Sequence, residues 1–157
     1  MIDTTLCYIE KDGCYLLLHR VKKERDINRD KWIGIGGKSE PGETPLQCVK
    51  RETREETGLE LIAPRYCGVV DFYCGGVEER MHLFHADRFT GTLTECDEGV
   101  LEWVPIEKNR ALPQWEGDRL FLERMERGAP FFQMALYYEG NRLIRAEADG
   151  EIIIDKT

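Results

Sequence analysis

The chain has 157 residues, 41% of them hydrophobic and 33% charged, a composition that suits one globular domain and excludes a disordered tail or a fibrous repeat. Its 22 basic and 30 acidic residues give a formal charge of −8, which argues against a nucleic-acid polymer as partner and means that an anionic ligand would need a local source of positive charge. The opening MIDTTLCYIEKDG lacks the basic segment and apolar run of a signal peptide, nothing is long enough to span a membrane, and six cysteines without a CxxC pair fit reduced cytoplasmic thiols.

In chain order, residues 4 to 20 read as two strands around the turn signal Asp12-Gly13. Residues 21 to 43, with five Gly or Pro from Gly34 to Gly42, read as a long loop holding one short strand at Trp32 to Ile35. HRVKKER (19 to 25) is the one basic cluster, either a solvated segment or a phosphate contact. Helix punctuation follows: Thr44 as N-cap, Pro45 at the first position, Gln47 to complete a capping box and Gly58 after the last turn predict a helix over 45–57. Leu46, Val49 and Thr53 make its buried stripe, with Glu52, Glu55 and Glu56 largely off that stripe.

Strands are predicted at 61–73, 80–88 and 100–104, then a helix over 118–128 with Leu120, Phe121 and Met125 inward and Gly128 as cap. FFQMALYY and EIIID supply late strands around a turn at Gly140. His82 and His85, three apart on a strand, point to opposite faces and do not form a zinc pair.

The acids carry the chemistry. Three glutamates at i, i+3 and i+4 repel one another by roughly 0.2–0.5 kcal/mol per pair, and they lie toward the helix end that disfavours negative charge. A hard divalent cation, which takes oxygen ligands and bridges to phosphates, turns that repulsion into attraction. A solvated acidic face is the plain alternative, and the neighbouring residues decide against it.

From Gly37 the text GKSEPGETPLQCVKRETREETGL resembles the Nudix box: glycine, five residues, glutamate, seven residues, Arg-Glu, an apolar position, any residue, Glu-Glu, any residue, glycine, apolar. Gly37, Glu43, Arg51, Glu52, Glu55, Glu56, Gly58 and Leu59 match, and Thr53 departs from the apolar position, which predicts a slightly weaker helix. The resemblance implies an α/β fold, the Nudix α/β/α sandwich with a mixed β-sheet between helices. It also implies one domain over residues 1–157 and hydrolysis of nucleoside diphosphates linked to another moiety with Mg²⁺ or Mn²⁺. Glu52, Glu55 and Glu56 become metal-binding carboxylates, the Gly36 carbonyl a further ligand, and Arg51 and Glu43 the residues that hold them. Either Glu52 or Glu55 is the implied general base.

WIGIGGK (32–38) and ECDEGVLEWVPIEKNRALPQWEGD (95–118) are similar to MutT-type Nudix enzymes that destroy oxidised purine nucleotides. That likeness makes Glu98 another metal ligand, sets Trp115 and Phe72 against a purine with Thr5, Ile33 and Asp118 around it, and places Arg20 and Lys38 near the phosphates. Ile33 stands where the mammalian type has asparagine, and Glu116-Gly117-Asp118 replaces its paired acids. The implied activity is hydrolysis of a nucleoside triphosphate such as 8-oxo-dGTP to the monophosphate and pyrophosphate, by a monomer or homodimer. Alternatives are another Nudix substrate, such as ADP-ribose, a nucleotide sugar or a pterin triphosphate, and a non-catalytic nucleotide sensor.

Overall fold

The chain first reverses at Asp12 and Gly13, whose φ of 51° and 75° are the left-handed values a two-residue hairpin requires. Lys11 therefore faces Cys14, and Glu10 faces Tyr15, across strands β1 (Ile2–Lys11) and β2 (Cys14–His19). A computed structural model describes residues 1–157. After the loop come β3 (Trp32–Ile33) and β4 (Ile35–Lys38), then helix α1 (Pro45–Thr57) and strands β5 (Leu59–Leu61), β6 (Arg65–Cys74), β7 (Val77–Ala86), β8 (Phe89–Gly91) and β9 (Val100–Pro105). Helix α2 (Asp118–Glu126) and strands β10 (Phe132–Glu139), β11 (Arg142–Ala148) and β12 (Glu151–Asp155) complete the chain.

The main sheet runs β12-β11-β10-β6-β7-β1-β2-β3, with β4 also on β1 and β9 also on β2. It is mixed: β1 with β7 and β10 with β6 are parallel, and the other pairs are antiparallel. Period-two alternation along β1 divides the core. Cys7 and Ile9 pack with Val49 of α1, whereas Tyr8 packs with Phe121, Leu122 and Met125 of α2. One helix on each face makes the α/β/α sandwich.

α1 has the predicted ends. Thr44 Oγ1 accepts from the Gln47 N–H at 3.1 Å, Gln47 Oε1 accepts from the Thr44 N–H at 2.9 Å, and Gly58 closes the helix at φ 80°. Its buried side differs from the predicted stripe: Leu46 is 44% exposed, and the sheet covers the helix only from Cys48 onward, through Val49, Thr53 and Thr57. Glu56 lies on that covered side and Glu52 beside it, so only Glu55 stands clear of the packing.

Other boundaries move for local reasons. The predicted strand at Trp32 to Ile35 is split at Gly34, where a Cβ would stand 2.8 Å from the Cys7 carbonyl oxygen. The predicted strand over 61–73 breaks into β5 and β6 at Ala63 (φ 46°) and Pro64. The strand predicted over 80–88 starts earlier, right after the Gly75-Gly76 turn, as β7. β8 and β11 were not predicted, β8 being three residues long and β11 (RLIRAEA) carrying charges that hide its alternation. α2 ends at Glu126; Leu122 joins Phe121 and Met125 among its buried residues, and the predicted Leu120 packs partly buried against the same core.

Candidate active site

A cavity of about 520 Å³ runs between the end of α1 that carries the acids and the Trp115 region. Of the residues singled out by sequence, Gly36, Lys38, Glu52, Glu56, Arg20 and Glu98 line one part of it, and Ile33, Phe72, Trp115 and Asp118 line another. Thr5 borders it too, but its hydroxyl turns to Cys48 Sγ at 3.4 Å, so Thr4, the neighbour on the other face of β1, presents its side chain to the cavity. Glu55, Arg51 and Glu43 lie outside the lining.

At the acidic end, Gly36 lets β4 lie close on β1, and Gly37 lets Glu52 of α1 come down on β4. A Cβ on Gly36 would fall 1.7 Å from the Thr5 carbonyl oxygen, and one on Gly37 would fall 2.4 Å from the carboxyl carbon of Glu52. Arg51 then organises the acids. It grips Glu43 with Nε and Nη2 at 2.7 and 3.0 Å, reaches Glu52 and Glu55 through Nη1 at 2.8 and 3.1 Å, and donates to the Lys38 carbonyl at 3.0 Å. Held this way, Glu43 is lowered to about 2, first by the Arg51 hydrogen bond and then by the backbone of Glu40.

The inner acids move the other way. Burial first, and then the charges of Glu98 and Glu52, push Glu56 well above the usual carboxylate range. Burial also raises Glu52, against the pull of Arg51. Glu98 is gripped by Arg20 Nη1 at 3.0 Å and Lys23 Nζ at 3.1 Å, with Arg20 itself tied to Asp26 at 2.7 Å. With these cations in place, no three acidic or histidine side chains converge on one point. The donor set still fits a hard divalent cation, because its atoms are oxygens, the inner carboxylates repel one another, and Glu56 Oε2 is buried with no hydrogen-bond partner. His82 and His85 pair with different carboxylates, Asp3 at 2.9 Å and Glu10 at 3.0 Å.

At the other end the walls are aromatic. Phe72 and Trp115 meet edge to face at 4.9 Å, and Tyr138 packs against both. Trp115 is fixed by its indole N–H, which donates to Asn28 Oδ1 at 2.7 Å, and by Lys31 Nζ, 4.2 Å from its ring centre. Asp118, at the first turn of α2, is 5% exposed, and burial pushes its carboxyl up to about 8 although Lys31 pulls it down. Burial thus favours its protonated form, in which a carboxyl donates as well as accepts. Asn28 and Glu79, both in the lining, were not foreseen from the sequence. The signal for Glu79 was present, since it interrupts the apolar series Val77, Met81, Leu83 on one face of β7.

Comparison with known proteins places this arrangement. The NUDIX domain model matches residues 3–125. The oxidized purine nucleoside triphosphate hydrolase of Danio rerio is 36% identical over 123 residues, covering 77% of each chain. The CTP pyrophosphohydrolase of Escherichia coli is 32% identical over 123 residues, covering 78% of this chain and 90% of that one. Among solved structures, the MutT protein of Bacillus halodurans superposes with a TM-score of 0.84 at 26% identity, covering 96% of this chain and 99% of the other.

Proposed function

We propose, for a chain that belongs to the Nudix hydrolase family and acts as a pyrophosphohydrolase of nucleotide derivatives, that its substrates are purine nucleoside triphosphates oxidised in the base. 8-oxo-dGTP is the test case, and the reaction is a step of nucleotide-pool sanitation. One observation carries this reading: a single cavity joins a crowded acidic end to an aromatic end that holds the buried carboxyl of Asp118.

Asp118 addresses the edge of the base, donating its proton to a ring acceptor and accepting from an N–H. Phe72, Trp115 and Ile33 form the apolar walls around the ring. Arg20 and Lys38 take the phosphate oxygens, which requires Arg20 to exchange Glu98 for substrate. Glu52, Glu56, Glu98 and the Gly36 carbonyl would hold Mg²⁺, or Mn²⁺ in its place, with Glu55 completing the set. When bound, the ion neutralises charge on the triphosphate and lowers the pKa of an attacking water. Either Glu52 or Glu55 takes the proton of the water that attacks an inner phosphorus, releasing pyrophosphate. Arg51 keeps both carboxylates aimed, and Glu43 keeps Arg51 in place. The same reading makes residues 1–157 one domain that works in the cytoplasm on free nucleotides, as a monomer or homodimer.

The test is a panel of canonical and oxidised nucleoside triphosphates, ADP-ribose and nucleotide sugars with Mg²⁺, assayed for pyrophosphate against phosphate. The expected result is pyrophosphate release, with kcat/KM highest on an oxidised purine. ADP-ribose as best substrate would overturn the sanitation reading, and no release from any compound would favour a nucleotide sensor.

A further inference from the structure

Glu79 is a second acid in the cavity, distant in sequence from the box and from Asp118. On β7 it occupies the inward phase: Val77 and Met81 on either side pack against the core, and Leu83 beyond belongs to it. In register it lies between Ile2 of β1 and Phe72 of β6, so its Cβ stands about 5 Å from that of the ring assigned to the base. The next inward row contains Met81, Thr4 and Lys38 side by side on β7, β1 and β4. Glu79 thus sits between the aromatic end and a phosphate-binding cation.

Its carboxyl is half-buried and raised by that burial, countered by the charges of Lys38 and Arg20 and by no hydrogen bond. A carboxylate kept in a cavity without a donor is unfavourable unless a ligand supplies one. Between the base and the phosphates of a nucleoside triphosphate, the available donors are the hydroxyls of the sugar.

We propose that Glu79 accepts hydrogen bonds from the 2′- and 3′-hydroxyls of the nucleotide, and that the enzyme consequently favours ribonucleoside triphosphates over their 2′-deoxy counterparts. This rests on the nucleotide reading of the cavity and extends it to the sugar. A deoxynucleotide retains one of the two contacts and remains a substrate.

The test uses the wild-type enzyme on ribo, 2′-deoxy and 3′-deoxy triphosphates that share one base, then Glu79→Gln on the same set. The wild type is expected to show kcat/KM about tenfold or more higher for the ribo form than for either deoxy form, the worth of a hydrogen bond to a charged acceptor. In E79Q both ratios fall toward one. Equal use of all three sugars by the wild type overturns the proposal while leaving the nucleotide reading intact. So does an E79Q variant whose sugar ratios are unchanged but whose preference among bases shifts, which would move Glu79 to the base. Turnover of none of the triphosphates overturns both readings together. Should E79Q fail to fold, the wild-type ratios alone decide.

Discussion

The two ends of the cavity are built differently. Most of the acidic end comes from one continuous piece of chain, a glycine-containing strand, a tight loop and the 13 residues of α1, with Glu98 and Arg20 added from distant segments. The aromatic end is assembled from β6, the segment before α2, β10 and the loop after β2, which meet only when the sheet has formed. A local piece keeps its geometry when the rest of the protein varies, whereas a wall made of distant segments changes whenever any one of them does. The contrast teaches that catalytic chemistry and substrate choice are separable in this fold.

That separation can be broken most forcefully at Glu56. Glu56→Gln should lower kcat by about 100-fold or more on every substrate alike, with thermal stability unchanged or higher, because a crowded buried carboxyl has been neutralised. Circular dichroism melts beside pyrophosphate assays check both halves. A loss confined to one nucleotide would mean that the acidic end also sets selectivity.

Arg51→Lys gives a smaller fall, about 10- to 100-fold in activity, because a lysine cannot span Glu43, Glu52, Glu55 and the Lys38 carbonyl at once. Mn²⁺ affinity, followed by electron paramagnetic resonance, should weaken in step. Unaltered affinity would show that the carboxylates need no such support.

Asp118 sharpens the contrast through pH. A carboxyl that holds its proton to about pH 8 in the folded chain, against an ordinary value of 3.8, contributes stability that is complete below the lower value and lost as pH rises through the higher one. The melting temperature should therefore fall between about pH 5 and 8, and Asp118→Asn should flatten part of that slope, Glu56 supplying another part. Identical slopes in the two proteins would place the proton elsewhere. The smallest effect belongs to Thr53, whose hydroxyl is buried without a partner. Thr53→Val should add about 1 kcal/mol, or about 2–4 °C in Tm by differential scanning calorimetry, with kcat unchanged; a lower Tm would mean that the hydroxyl is satisfied.

The same division explains what could be read from sequence. α1 was legible to the residue because Thr44, Gln47 and Gly58 act within the helix they bound, and the glutamate spacing follows from the helical repeat. The sidedness of those acids was not legible: Glu52 comes in against the sheet because Gly37 has no side chain to meet its carboxyl, a fact of strand-to-helix contact. β11 was missed because its polar sequence becomes a strand through pairing with β10 and β12. Asn28 carried no local signal at all, since its role is to hold an indole 87 positions away.

The central claim is that the acids crowded beneath α1 are a seat for a divalent ion carrying a triphosphate. Titration of wild type and Glu56→Gln with Mn²⁺, with and without a non-hydrolysable nucleoside triphosphate, tests it most directly. The account predicts binding to the wild type that tightens with the nucleotide, and weakening by at least about tenfold in the variant. Equal affinity in the two proteins, or no binding to either, would contradict it.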